Sequence, residues 1–197
     1  MRFSSSFTIG YHGCDKDVAL KILNGKDKLK YSTNSWDWLG EGSYFWEHNP
    51  ELALRYAINV SNGIQFANGK VKTPFVLGAI IDLAHCLDIT SSFGLNVLTQ
   101  GYRLLEDAHN ISGVPLPKND GDNRALDCAV IQYLHTLNSN AKAMPYDTIR
   151  GAFPEGDPIY PGTEITEKNH IQISVKNVNC IKGYFLPMPL KKYNPSL

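Results

Sequence analysis

The sequence is poor in charge. Only 19% of its 197 residues are Asp, Glu, Lys or Arg, and 19 basic side chains balance 19 acidic ones. A chain without net charge has no global field to draw it onto nucleic acid or an anionic membrane, so such contacts would need a local basic patch. Long apolar runs are missing as well. The longest, Phe75 to Leu83, is interrupted by Gly78 and Asp82, well short of the roughly 18 residues of a transmembrane helix. The N-terminal MRFSSSFTIGYHG carries one Arg and no apolar stretch of signal-peptide length, so a cytoplasmic location is expected. Cysteine is scarce: Cys14, Cys86, Cys128 and Cys180 are scattered with no C-x-x-C pair, which argues against zinc and for reduced thiols. There is no P-loop, no G-x-G-x-x-G fingerprint, no nucleophile elbow and no metal-ligand spacing.

What remains is a chain of one domain's length, residues 1–197, able to bury about two-thirds of its unfolded surface in a single core. Phe7 to Gly13 predicts a strand that runs into a helix capped by Asp15 and stopped at Asn24-Gly25. Leu29 to Thr33 predicts a second short strand, 34–42 a loop, and Ser43 to Glu47 another strand. Asn49-Pro50 starts a helix with Leu52, Ala53, Tyr56 and Ala57 on one face. A Gly/Asn-rich loop, Asn62 to Gly69, leads to a strand from Pro74 to Leu83. Two helices follow, one through Leu95, Leu98, Tyr102 and Leu105, the other through Leu126, Val130, Tyr133 and Leu137. Residues 138–169 read as mostly irregular, and His170 to Lys176 and Cys180 to Leu186 as a closing hairpin. The fold class expected is α+β, with strands at both ends and helices between.

Three segments carry chemistry. Tyr11-His12-Gly13 places an imidazole and an unhindered backbone amide at a strand end. Leu39-Gly-Glu-Gly-Ser-Tyr-Phe-Trp-Glu47 is followed on the next helix by Ala53-Leu-Arg-Tyr56. Tyr44 on the strand and Tyr56 on the helix could clamp a flat aromatic ligand between two rings, or simply pack the core. The third segment is the late strand beginning near His170.

Together, Tyr11-His-Gly13, Gly40-Glu-Gly-Ser-Tyr-Phe45 and Ala53-x-x-Tyr56 resemble the NAD-binding half of the diphtheria-toxin-like, H-Y-E class of ADP-ribosyltransferases. That class includes the poly(ADP-ribose) polymerases and mono-ADP-ribosylating bacterial relatives. The resemblance implies an ADP-ribosyltransferase-like fold, two small antiparallel sheets forming a split β-sandwich with flanking helices and an NAD cleft. It implies NAD as substrate, with His12 on the nicotinamide-side ribose and the Gly13 backbone on the carboxamide. Tyr44 and Tyr56 would sandwich the nicotinamide ring, and Phe45 belongs to the same binding motif. The sequence departs from the family at Ala53, where a Ser is usual, and in a gap between the two tyrosines one residue longer than in the polymerases.

The family's glutamate is absent from Glu167-Lys-Asn-His-Ile-Gln-Ile-Ser-Val175. His170 or Gln172 would stand in its place, two residues apart on one strand face. Alternatively Glu155, in the loop before that strand, would supply the missing carboxylate. The task at that position is to hold the ribose 2′-hydroxyl and stabilise the cationic sugar as nicotinamide leaves. Arg150 is weighed for pyrophosphate, Trp36 and Trp38 for loop packing or for lining the adenosine or acceptor side. Lys16, Lys21, Lys26, Lys28 and Lys30 are weighed as a basic patch for a nucleic-acid strand. His85 and His135 read as structural. The expectation is a mono-ADP-ribosyltransferase acting on a protein or nucleic-acid acceptor. By analogy with stand-alone relatives it would be a toxin or anti-phage effector held by an antitoxin or inhibitory partner. The rivals are a non-catalytic NAD- or ADP-ribose-binding module and an NAD glycohydrolase.

Overall fold

The structure is a computed structural model that describes residues 7–64, 69–121 and 123–197. The chain is α+β. Strand β1 (Phe7–Asp15) leads into helix α1 (Lys16–Leu23), then β2 (Ser43–Glu47), α2 (Pro50–Ser61), β3 (Pro74–Asp82) and β4 (Cys86–Asp88). Helix α3 (Ser92–Ser112), strands β5 (Asn119–Asp120) and β6 (Asn123–Arg124) and helix α4 (Ala125–Asn140) form the middle. Strands β7 (Thr148–Phe153), β8 (His170–Val175) and β9 (Ile181–Phe185) and helix α5 (Leu190–Tyr193) close the chain.

The helix boundaries follow from local chemistry. Asp15 accepts the Asp17 N–H at 3.0 Å and Asn49 accepts the Leu52 N–H at 3.0 Å, each satisfying a donor that the first helical turn leaves open. Pro50 follows its cap directly, where its fixed φ and missing N–H cost nothing. Ser91 caps α3, and Gly113 ends it in the left-handed region at φ 71°.

Seven strands hydrogen-bond into one mixed sheet in the order β4-β7-β8-β2-β1-β3-β9, and β5 with β6 makes a separate small ribbon. The expected pair of antiparallel sheets is thus replaced by one sheet, whose β4·β7 pair is parallel. A side chain at Gly10 would fall 2.7 Å from both Ile81 and Phe45, so the glycine lets β2 and β3 bring those side chains together over β1. Phe45, Ile81 and Ile173 are fully buried in that cluster with Val175 and Cys180, each large side chain contributing about 1.5–3 kcal/mol by burial. On the other face α4 packs Ile131 and Leu134 against Leu39, Leu87 and Ile149.

Three expectations about strands are corrected. Leu29 to Thr33 forms no strand; a single bridge, Ser32 to Gly42, is all that pairs there. Within the mostly irregular stretch 138–169 the strand β7 went unexpected; it pairs with both β4 and β8. No hairpin joins β8 to β9. Both edges of β8 are taken, by β2 and β7, so β9 pairs with β3 instead. Of the expected Asn62 to Gly69 loop, residues 65–68 lie outside the described residues. Among the described residues no helix is long and apolar enough to cross a membrane. The four cysteines are free thiols.

Candidate functional site

A cleft of about 400 Å³ opens where the end of β1, strand β2, helix α2 and strand β8 meet beneath the 34–42 loop. Its volume falls in the range of small-molecule sites, about 300–1,000 Å³. His12, Gly13, Tyr44, Tyr56 and Gln172 all line it. Period-two alternation explains part of this convergence. Tyr44 and Trp46 share a face of β2, and antiparallel pairing sets Gln172 of β8 opposite Trp46 and Ser174 opposite Tyr44.

His12 donates its Nδ1–H to the Tyr44 carbonyl oxygen at 2.8 Å, which leaves Nε2 as the acceptor of the ring. Burial pushes the His12 pKa down, only partly offset by that bond, so the ring is neutral near pH 7. A neutral ring accepting at Nε2 suits a hydroxyl donor.

Tyr44 is held at its tip. Its hydroxyl donates to the Gly40 carbonyl at 2.5 Å and accepts the Leu39 N–H at 2.9 Å. Gly40 can turn its carbonyl back in this way because it sits at φ 71°, a conformation that favours glycine. Burial raises the Tyr44 pKa well above its ordinary value, and the Asp37 charge adds to this. The phenol is therefore a neutral wall. Tyr56 on α2 is likewise shifted upward, first by burial and then by Asp37. Its ring lies 5.1 Å from Trp46, tilted by 47°.

Gly13 has a packing role besides lining the cleft. A Cβ there would collide with the Ala53 carbonyl oxygen, because α2 lies directly against β1. Ala53, where the family has Ser, is fully buried at this crossing. Gly13→Ala is expected to push α2 off the sheet and cost about 3 kcal/mol, the upper end of overpacking penalties. Chemical denaturation would measure it, and loss of the Tyr56 wall should accompany it.

Of the three stand-ins for the family's glutamate, Gln172 alone lines the cleft. His170 is buried behind it, between Phe153 at 5.9 Å and Trp38 at 6.5 Å. Its Nδ1–H donates to the Lys168 carbonyl at 2.6 Å, and its Nε2 accepts from the Gln172 side-chain amide at 2.9 Å. The two bonds require one tautomer, neutral His170 protonated on Nδ1. They also commit the amide nitrogen of Gln172, so its oxygen is the end left for other partners. Glu155 is drawn away, into an ion pair with Lys168 at 3.0 Å.

Other residues weighed for function lie elsewhere. Phe45 points to the opposite face of β2 and is fully buried in the core; alternation puts it there as surely as it puts Tyr44 in the cleft. Arg150 is not in a loop but in β7, paired with Glu47 and Asp88. Of the five lysines, Lys30 lines the cleft. Lys16 donates to the Ser196 carbonyl. His85 stacks on Tyr146 and His135 meets the edge of the same ring. Two residues with little sequence signal join the cleft lining, Trp46 and Asp37. The Tyr44-x-Trp46 spacing could have revealed the first; for Asp37 the only signal was an acid between two tryptophans before a glycine turn.

Comparison with family models, with curated proteins and with solved structures finds no match for this chain.

Proposed function

We propose that the chain is an NAD-consuming mono-ADP-ribosyltransferase with an ADP-ribosyltransferase-like fold. One observation carries the reading: residues spread from His12 to Gln172 along the chain, singled out by motif, meet on a single cleft. Neutral His12 offers an acceptor to a ribose hydroxyl. The Gly13 backbone lies at the cleft wall for a carboxamide, and Tyr44 and Tyr56 provide apolar faces for a planar ring. Gln172, held by His170, takes the place of the family's glutamate and offers a neutral amide oxygen to the ribose.

In the reaction, the bond between ribose C1′ and the nicotinamide nitrogen breaks, and its electron pair leaves with nicotinamide. The positive charge passes from the pyridinium to C1′ and the sugar ring oxygen. A nucleophilic atom of the acceptor bonds to C1′ and yields its proton to solvent. The acceptor is a protein or a nucleic acid. By analogy with stand-alone enzymes of this kind, the activity would serve as a toxin or anti-phage effector in the cytoplasm, restrained by an inhibitory partner.

The test is incubation of the protein with NAD labelled on the adenylate side, alone and with cell extract, following free nicotinamide and label in protein and nucleic-acid fractions. Nicotinamide release with label fixed in one fraction is the expected result. Release without fixation would identify a glycohydrolase, and binding without release a non-catalytic module. Gln172→Ala is expected to slow release by roughly 100-fold, the scale of losing one transition-state contact, with a smaller change in NAD affinity.

A further inference from the structure

We propose that Asp37 supplies the negative charge that this cleft sets against the cationic ribosyl group, in place of the glutamate its late strand lacks. The inference rests on the NAD-cleaving reading above and names the charge that reading leaves unassigned. Gln172 and His170 are both neutral, and Glu155 is bound to Lys168 outside the cleft. Asp37 lines the cleft beside Tyr44 and Tyr56. Its field reaches both phenols, raising the pKa of each after burial has done so.

The carboxylate is held and yet incompletely used. Its backbone N–H donates to the Asn34 carbonyl at 3.4 Å, its carbonyl accepts the Gly40 N–H at 3.1 Å, and its Oδ1 accepts from the Asn34 side-chain amide at 3.3 Å. The next residue, Trp38, is pinned by Phe153 at 4.7 Å and by the Arg124 guanidinium at 5.0 Å. Among the described residues, the second oxygen, Oδ2, is buried with no hydrogen-bond partner. Burying a carboxylate oxygen without a donor is costly, and natural chains retain such groups chiefly where they act on something. A loop that merely covered the sheet would be better served by Asn.

The substrate supplies what the site lacks. As nicotinamide departs with the electron pair of the C1′–N bond, positive charge develops on C1′ and the ring oxygen of the ribose. A fixed anion at the cleft wall stabilises that charge without reorganising. Asn in its place keeps the size of the side chain and removes the charge, so effects on turnover and on folding should separate on substitution.

The experiment compares wild type, Asp37→Asn, Asp37→Glu and Tyr44→Ala. NAD affinity is read by calorimetry, nicotinamide release with cell extract as acceptor source, and stability by thermal melting. The expected result is that Asp37→Asn binds NAD within about 3-fold of wild type, releases nicotinamide roughly 100-fold more slowly, and melts at the same or a higher temperature. Asp37→Glu should recover part of the rate. Full turnover by Asp37→Asn would overturn the assignment and leave the NAD reading standing. A lower melting temperature with parallel loss of binding would overturn it too, making Asp37 a structural residue. A wild-type protein that neither binds NAD nor releases nicotinamide would overturn the reading and this inference together.

Discussion

Tyr44→Ala is expected to reduce nicotinamide release on the order of 1,000-fold, whereas Tyr44→Phe should retain much of the activity. Alanine removes one wall of the cleft and also frees the turn at Leu39 and Gly40, whose N–H and carbonyl both bond the Tyr44 hydroxyl. That turn follows Asp37 directly, so its release displaces the loop roof as well as the wall. Misplacement of about 1 Å alone can cost about 100-fold, and loss of a positioned group in the transition state a similar factor. Phenylalanine keeps the ring and gives up only the two hydrogen bonds, a cost of about 1–2 kcal/mol in stability. Alanine should cost about 3 kcal/mol or more, because a largely buried aromatic ring leaves a cavity. Paired measurements of nicotinamide release and denaturation midpoint separate ring from hydroxyl. Equal rates for wild type and Tyr44→Ala would remove the basis for the NAD reading.

Much of the helical structure was legible because its signals are local. Asp15, Asn49 and Pro50 act within a turn of themselves, and each caps or opens the helix that its position announces. Alternation along β2, which puts Tyr44 and Trp46 on one side and Phe45 on the other, is a local signal of the same kind. Phe45 nonetheless entered the binding set, because a contiguous motif in sequence ignores that alternation. Strand pairing was not legible. Thr148 to Phe153 is short, contains Arg150 and Gly151, and is a strand because β4 and β8 flank it. Its glycine is required by neighbours remote in sequence: a Cβ on Gly151 would approach Leu39 within 2.9 Å and Ile89 within 3.0 Å. The stand-in for the family's glutamate stayed open among His170, Gln172 and Glu155, and only contacts made in the fold sort them, with Gln172 on the cleft, His170 bonded behind it and Glu155 paired with Lys168. Asp37 escaped notice because nothing in a loop sequence shows which oxygen will be left without a donor.

Arg150→Met, on the face of the sheet away from the cleft, is expected to cost about 3–5 kcal/mol. Arg150 reaches across β8 to Glu47 of β2, with Nε to Oε2 at 2.8 Å and its terminal nitrogen at 2.7 Å. It also holds Asp88 of β4 at 3.2 Å and Thr90 at 3.0 Å. Thr8 of β1 donates to the other oxygen of Glu47 at 2.8 Å, so one guanidinium ties four strands together. The Glu47 side chain is only 8% exposed, and removing its cation leaves a carboxylate in a place water reaches poorly. Burial opposes ionisation of Asp88, but the Thr90 hydrogen bonds and the Arg150 charge outweigh it and hold its pKa below the usual value. A depressed carboxylate adds stability at neutral pH and loses it as pH falls below its unfolded value near 4 and through the lower folded value. The gap between wild type and Arg150→Met should therefore be full at pH 7 and narrow in acid. Denaturant titrations at several pH values would show it, and the double variant Arg150→Met, Glu47→Leu should regain much of the loss, because it removes the stranded charge along with its partner. A double variant no more stable than Arg150→Met would mean that the guanidinium acts by packing across the strands rather than by neutralising Glu47.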